Sequence, residues 1–285
     1  MDPILAPTSL QRPPSRKLAY HETAGSCPRQ FFLYRPATEV AGAPLVVSVH
    51  GIARNAAAHA FRLMDEADQF GLCIVAPLFD KTQYGQYQQL EDARTGVRSD
   101  LALLDILDAA RRLTDADQRK ILLFGYSGGA QFAHRFAMAH PSRVASTVLV
   151  GAGWYTFPNA EDPYPYGLDT RRSGFTLSLD RGAFASVPQH VIVGDLDVRR
   201  DSSLRRSKRL DRTQGLTRLE RAQRWVRAMQ ALAPKEQAGA NPTYDTLGRV
   251  GHSFVDSVEI ARLPKHVFAR FQADAGLSPI AIERK

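Results

Sequence analysis

The sequence predicts an α/β protein: a mostly parallel central sheet flanked by helices on both faces. Three observations predict it. Short apolar runs alternate with helix-length amphipathic stretches, the pattern of βαβ units. No internal repeat and no polar low-complexity linker divides the 285 residues, so one domain is expected. A hydrophobic content of 44% is enough for a sizeable core.

In chain order, the expected strands are FFLY (31–34), LVVSVH (45–50), LCIVA (72–76), ILLFG (121–125), STVLVG (146–151), HVIVG (190–194) and TYDTLGRV (243–250). The clearest helices are 56–70, 99–113 and 219–232. The second helix carries Leu101, Leu104, Leu107 and Ala110 to Leu113 at helical spacing, which predicts its buried face, with Asp100 favouring its N-terminus. The third is assigned a face of Leu219, Ala222, Val226 and Met229.

Residues 1–29 read as a loosely ordered leader, because acid and proline stand where a signal peptide needs a basic start and an apolar core. The domain is then 30–285, with a loop or small cap insertion at about 153–187 and an Arg-rich insertion at about 199–227. That second stretch holds eleven Lys and Arg against three acids, which accounts for the +8 of the whole chain. Its spacing mostly suits the wet face of a helix, with one or two of Arg199, Arg200 and Arg218 placed to reach an anionic part of a substrate. No helix-turn-helix, RRM or zinc-finger pattern accompanies it, so no nucleic-acid partner is expected. Apolar runs are too short for a membrane span, and no membrane partner is expected. Two cysteines and no CxxC or HExxH point to a reducing cytoplasm, with neither a disulfide framework nor a metal site.

The stretch ILLFGYSGGAQFAHRF (121–136) carries the chemistry. A GxSxG pattern alone arises by chance in roughly one chain in ten of this length. Here it lies between an apolar strand and a helix, the setting in which GxSxG forms a sharp elbow presenting its serine at the sheet edge. Gly125 and Gly129 relieve clashes that side chains there would make. The Gly128 N–H points to the same place as Ser127 Oγ, from a helix N-terminus.

A serine hydroxyl needs a base and an orienting carboxylate, which on this architecture follow it in the order Ser, Asp, His. Asp195 and Asp197 end one later strand and His252 ends the last. The alternative for Ser127 is a turn serine capping a helix, and for His252 a loop histidine. His50 reads as a brace for the loop after its strand.

In combination, VHG (49–51), GYSGG, GDLD and GHS resemble the α/β-hydrolase superfamily over residues 30–273. HGIARN, APLFD, AGWYTFP, YPYGL and QGLTRLERA are most similar to bacterial polyhydroxybutyrate-depolymerase-like and feruloyl-esterase-like hydrolases. The resemblance implies a catalytic triad of Ser127, Asp197 and His252, with Asp195 next for the acid. It implies a second oxyanion donor at the backbone N–H of Ile52 beside that of Gly128, with Ala53 as the alternative. It implies an ester hydrolase working through an acyl-serine on a small-molecule ester, without cofactor. Acyl transfer, amide or thioester hydrolysis, and a non-catalytic binding protein are the competing readings. Trp154, Tyr155 and Phe157, in the loop after 146–151, are expected to wall the substrate pocket, against the alternative of a satellite core under a long loop.

Overall fold

The computed structural model describes residues 16–171, 181–232 and 241–280. The strands are β1 (Lys17–Glu22), β2 (Gln30–Arg35), β3 (Pro44–Val49), β4 (Ile74–Pro77), β5 (Asp117–Tyr126), β6 (Val144–Val150), β7 (Gln189–Gly194) and β8 (Thr243–Leu247). They form one sheet in the order β1-β2-β4-β3-β5-β6-β7-β8. β1 and β2 are antiparallel additions at one edge, and β3 to β8 run parallel.

Alternate residues of each central strand feed two separate cores. Leu45, Val47, Ile121 and Leu123 pack on one face with helices α2 (Ser99–Ala110), α3 (Gly128–Ala139) and α6 (Arg218–Gln230). Val46, Leu122 and Phe124 pack on the other with α1 (Ala56–Phe70) and α8 (Leu263–Ala275). Burial on both faces explains why these strands read as unbroken apolar runs. Three shorter helices complete the described elements: α4 (Arg181–Ala185), α5 (Lys208–Thr213) and α7 (Phe254–Glu259).

The chain winds from β3 through α1 to β4 on one side, then returns to place β5 on the other side of β3. Strand order therefore reverses between β3 and β5. In open α/β sheets the crevice at the carboxyl ends of such strands is where ligands bind. The loops after β3 and β5 are those that carry Ile52 and Ser127.

Four expectations need correction. Residues 17–22 of the presumed leader are the edge strand β1, paired with β2 from Lys17↔Arg35 to Glu22↔Gln30; residues 1–15 lie outside the described residues. The weak apolar pattern of KLAYHE is that of an edge strand, and none of its residues is fully buried. The buried face of α2 runs through Ala102, Leu103, Ile106, Leu107, Ala109 and Ala110, with Leu101 exposed. Leucines surround that helix, so the exposed Asp105 and Asp108 mark its wet face better than leucine spacing does.

Most arginines of the Arg-rich stretch face water as expected, but Arg218, expected to meet a ligand, does not. Arg205, Arg206, Arg212, Arg224 and Arg227 are exposed, but Arg218 and Arg221 are 1% and 0% exposed. Arg221 donates to the backbone oxygens of Gly215, Gly153 and Arg205 and pairs with Asp211, clamping α6 to the loop after β6. Finally, Trp154 and Tyr155 are 2% and 0% exposed, so they are packed inside the protein and do not form an open pocket wall. Tyr155 stacks on Trp225 at 4.9 Å, Trp154 lies under the guanidinium of Arg135 at 4.3 Å, and Phe157 packs against the first core. The expected insertion at 153–187 folds back on itself through Phe157 N–H to Tyr166 O and Leu168 N–H to Asn159 O. Its residues 172–180 lie outside the described residues.

Both cysteines are free, Cys27 exposed and Cys73 buried. Among the described residues, no helix is long and apolar enough to cross a membrane.

Candidate active site

Ser127 sits between β5 and α3 with φ 55° and ψ −112°, a conformation that costs about 1–3 kcal/mol and persists only where its surroundings enforce it. The surroundings here are two close backbone approaches. A Cβ on Gly125 would lie 2.3 Å from Gly129 O, and one on Gly129 would lie 2.0 Å from Val49 O at the end of β3. Only hydrogen at both positions lets the strand turn this sharply into the helix. The turn is pinned by Ser127 N–H donating to Val150 O at 2.7 Å.

His252 follows β8, and Asp197 follows β7. Adjacent loops hold the two together, through Asp195 N–H to Leu247 O at 2.9 Å and Leu196 N–H to Val250 O at 3.0 Å. The imidazole spans the gap: Nε2 lies 2.9 Å from Ser127 Oγ and Nδ1 2.8 Å from Asp197 Oδ2. A carboxylate can only accept, so Nδ1 carries the proton and Nε2 presents its lone pair to the serine. Asp197 is 2% exposed, whereas Asp195, two residues earlier, is exposed to solvent. The ring of Tyr126 stacks on the imidazole at 5.5 Å and 26°.

Gly128 opens α3, where its N–H has no acceptor within the helix. A Cβ there would lie 3.4 Å from Ile52 N and 2.7 Å from Tyr87 Oη, so the two expected donor segments are neighbours. The loop bearing Ile52 is held by His50, which is fully buried. Its Nδ1 lies 2.8 Å from Gly51 O, its Nε2 accepts from Phe79 N–H at 3.1 Å, and its backbone oxygen accepts from Tyr87 Oη at 2.7 Å. Burial depresses the His50 pKa to about 4, which keeps the ring a neutral brace.

The second oxygen of Asp197 is taken by a residue expected to face a ligand. Arg218 Nη1 donates to Asp197 Oδ1 at 3.0 Å and to Asp201 Oδ2 at 3.0 Å. Nη2 donates to Asp201 Oδ1 at 3.2 Å and Ser203 Oγ at 2.6 Å. The hydrogen-bonding Arg218 guanidinium holds the Asp201 carboxyl well below the usual carboxylate range. Arg200 is likewise occupied, by Asp211 at 2.8 Å. Arg199 remains exposed and lines a cleft with Leu196, Asp197, Asp201, His252 and Asp256. Among the described residues, no cluster of metal-ligating side chains occurs.

The structure thus brings Ser127, His252, Asp197, Gly128 and Ile52 to one end of the sheet. It does not bring Trp154 or Tyr155 to an open surface there. Two contributors escape sequence reasoning: Tyr126, whose ring position next to His252 depends on the fold, and Arg218 as partner of an acid. A cation at the first position of a helix, where the dipole disfavours it, is the signal that marks Arg218.

No protein-family model matches the chain, and no curated protein matches it. Solved structures do. Poly(aspartic acid) hydrolase-1 from Sphingomonas sp. KT-1 superposes with a TM-score of 0.75 at 22% identity, covering 89% of this chain and 99% of that one. LpqC, a poly(3-hydroxybutyrate) depolymerase from Bordetella parapertussis, gives a TM-score of 0.71 at 25% identity, covering 94% and 93%. EstE1, a thermophilic carboxylesterase cloned from a metagenomic library, gives 0.59 at 15% identity, covering 94% and 92%. The sheet order and these likenesses show that the chain has the α/β-hydrolase fold.

Proposed function

We propose that the protein is a serine hydrolase that cleaves carboxylic esters of small molecules or short oligomers through an acyl-serine. The observation that carries this reading is the hydrogen-bonded relay from Ser127 Oγ through both ring nitrogens of His252 to Asp197. An elbow serine used only as a helix cap would need no base, and Ser127 makes no side-chain cap bond.

In the first half-reaction His252 Nε2 accepts the Ser127 proton as Oγ attacks the ester carbonyl. The backbone N–H groups of Gly128 and Ile52 receive the oxyanion. Collapse of the tetrahedral intermediate expels the alcohol, which takes the proton from His252 Nε2. In the second, water enters, gives its proton to His252, attacks the acyl carbonyl and releases the acid as the proton returns to Ser127. Asp197 stays ionised throughout, holding the Nδ1–H tautomer and stabilising the imidazolium formed in each step. The reaction balances without a cofactor. Esters suit the site because an alkoxide leaves more readily than an amide nitrogen. The likeness to a poly(3-hydroxybutyrate) depolymerase supports the same class.

The test combines a fluorophosphonate probe with a panel of acyl-chain-length esters, hydroxybutyrate oligomers and aspartate oligomers. Ser127→Ala is expected to abolish labelling and lower turnover by a thousandfold or more, without loss of the fold. Labelling retained at another serine refutes the reading. Turnover of aspartate oligomers but of no ester assigns amide hydrolysis instead. Product partitioning to an added alcohol would mark an acyltransferase.

A further inference from the structure

We infer that Arg218 is a positioning residue for the proposed triad: its guanidinium, wedged between Asp197 and Asp201, fixes the plane of the Asp197 carboxylate and sets the acid limit of the Asp197–His252 pair. The inference rests on the serine-hydrolase reading above.

The geometry divides Asp197 between two partners. His252 Nδ1 is 2.8 Å from Oδ2, and Arg218 Nη1 is 3.0 Å from Oδ1. With one oxygen on the imidazole alone, the carboxylate is free to turn about its terminal torsion, which is broad for Asp. The second bond removes that freedom, so Oδ2 stays in line with Nδ1. Arg218 cannot act on the substrate directly, because it is 1% exposed behind Asp197, which is itself 2% exposed.

Its location is otherwise unfavourable. Arg218 is the first residue of α6, after the cap in which Thr217 Oγ1 accepts from Glu220 N–H. The partial positive charge of a helix N-terminus disfavours a cation there, and burial disfavours it further. Asp197 and Asp201 offset both effects, and Ser203 takes a remaining N–H. The arrangement is a charge chain: Asp201, Arg218, Asp197, His252.

That chain has a consequence in pH. A proton added to the hydrogen-bonded Asp197 and His252 brings positive charge beside Arg218. The positive charge of Arg218 opposes that uptake, and the negative charge of Asp201 moderates Arg218. The other charged and titratable groups facing the pair are Arg199, from the stretch after β7, and Asp256 of α7, which share the cleft with them, and the buried phenol of Tyr155 in the loop after β6. Tyr126 of β5 stacks on the imidazole, with its phenol kept neutral by burial. None of these four bonds to Asp197 Oδ1 among the described residues.

The experiment compares the pH dependence of kcat/KM, and the imidazole titration of His252 by NMR, in the parent and variants. In Arg218→Met the acid limb is expected to move up by at least about one pH unit, because a unit positive charge is removed from beside the pair. Its kcat should fall about ten- to hundredfold with KM within about twofold, the signature of misplacement without lost substrate contact. Arg218→Lys keeps the charge but not the fork; less than half of that pH shift should remain, while kcat still falls about tenfold. Asp201→Asn, at a side chain 38% exposed, should move the limb the opposite way, down by about half a unit.

Opposite shifts in Arg218→Met and Asp201→Asn support the inference. Coincident limbs, or shifts of one sign, overturn it and leave Arg218 as a packing residue. If Arg218→Met fails to fold, Asp201→Asn decides alone, since a downward shift upholds the chain and no shift refutes it. Ser127→Ala, run in parallel, separates the two readings. Turnover surviving in Ser127→Ala refutes the triad and the inference with it, whereas a dead Ser127→Ala beside an unchanged Arg218→Met refutes the inference alone.

Discussion

Gly151 lies against the imidazole of His252: a methyl group at Gly151 would sit 3.3 Å from both Cε1 and Nδ1 of the ring, and 3.8 Å from Asp197 Oδ2. The residue follows β6 with φ +59°, held by its N–H to Ile192 O at 2.9 Å. The strand beside the elbow therefore ends against the imidazole of His252. Gly151→Ala is expected to cost about 1–2 kcal/mol through its left-handed backbone. It should also displace the ring by a few tenths of an ångström, lowering the fluorophosphonate labelling rate about ten- to hundredfold. Measuring both separates the effects. A stability loss with an unchanged labelling rate would show that the ring tolerates the contact.

Asp197 and Asp195 differ in what they can do for His252. Asp197 meets Nδ1 and is buried, while Asp195 is exposed on the neighbouring turn. Asp197→Asn is expected to lower kcat by up to about 10⁴-fold, since an amide can donate to Nδ1 and so favour the wrong tautomer. Asp195→Asn should change it less than about threefold. Steady-state turnover of one ester by both variants checks the assignment, and a reversed ranking would refute it.

Tyr155 should behave as core. It is fully buried, stacks on Trp225, and its N–H and C=O are both bonded to the side chain of Gln214. Tyr155→Ala is expected to destabilise by about 3–5 kcal/mol, as for other large aromatics removed from a core. The relative kcat/KM values across an ester panel should stay in the same order. A changed preference with an unchanged melting temperature would restore the pocket reading for this loop.

The contrast between these residues shows what the sequence makes legible. The elbow is legible because its requirements are local: an apolar strand, glycines at 125 and 129, and a helix immediately after. Asp197 and His252 are legible as strand-end residues, because chain order on a parallel sheet fixes which end they reach. α1 is legible from 56 to 70 because its buried residues repeat at helical spacing between Asn55 and the left-handed Gly71. Burial of Trp154 and Arg218 is not legible, because it depends on which loop folds over which. Trp154 is covered only when Arg135 of α3 and Arg205 of the basic stretch both pack against its ring. Arg218 is covered only when β7 delivers two carboxylates to the start of α6. Charge and aromatic counts along the chain carry no information about such meetings.

Three buried histidines give the fold an acid limit separate from the activity. His50 and His134 use both ring nitrogens: each presents Nδ1 to a backbone oxygen, and each Nε2 accepts a backbone N–H, from Phe79 and Thr156 respectively. A second proton on either ring would have to break the latter bond. His59 stacks on Phe254 at 3.7 Å, and its Nδ1 is buried without a partner among the described residues. Burial lowers His50 to about 4, His59 to about 3 and His134 well below the ordinary value of 6.5. The sign follows from proton uptake. Below 6.5 the unfolded chain binds protons that the folded chain refuses, so stability is fully present above that value and declines as pH falls toward about 4. Each such histidine contributes a slope of about 1.4 kcal/mol per pH unit inside the window. Urea unfolding of the parent at pH 7.5, 6.5, 5.5 and 4.5 should show the decline. His59→Phe, which keeps a ring against Phe254 and removes one titrating group, should reduce the loss between pH 5.5 and 4.5 by about 1 kcal/mol. Carboxylates titrate alike in both proteins, so the difference isolates the histidine. Equal slopes in the two would mean that His59 accepts its proton in the folded state, and the account of a neutral buried ring would be wrong.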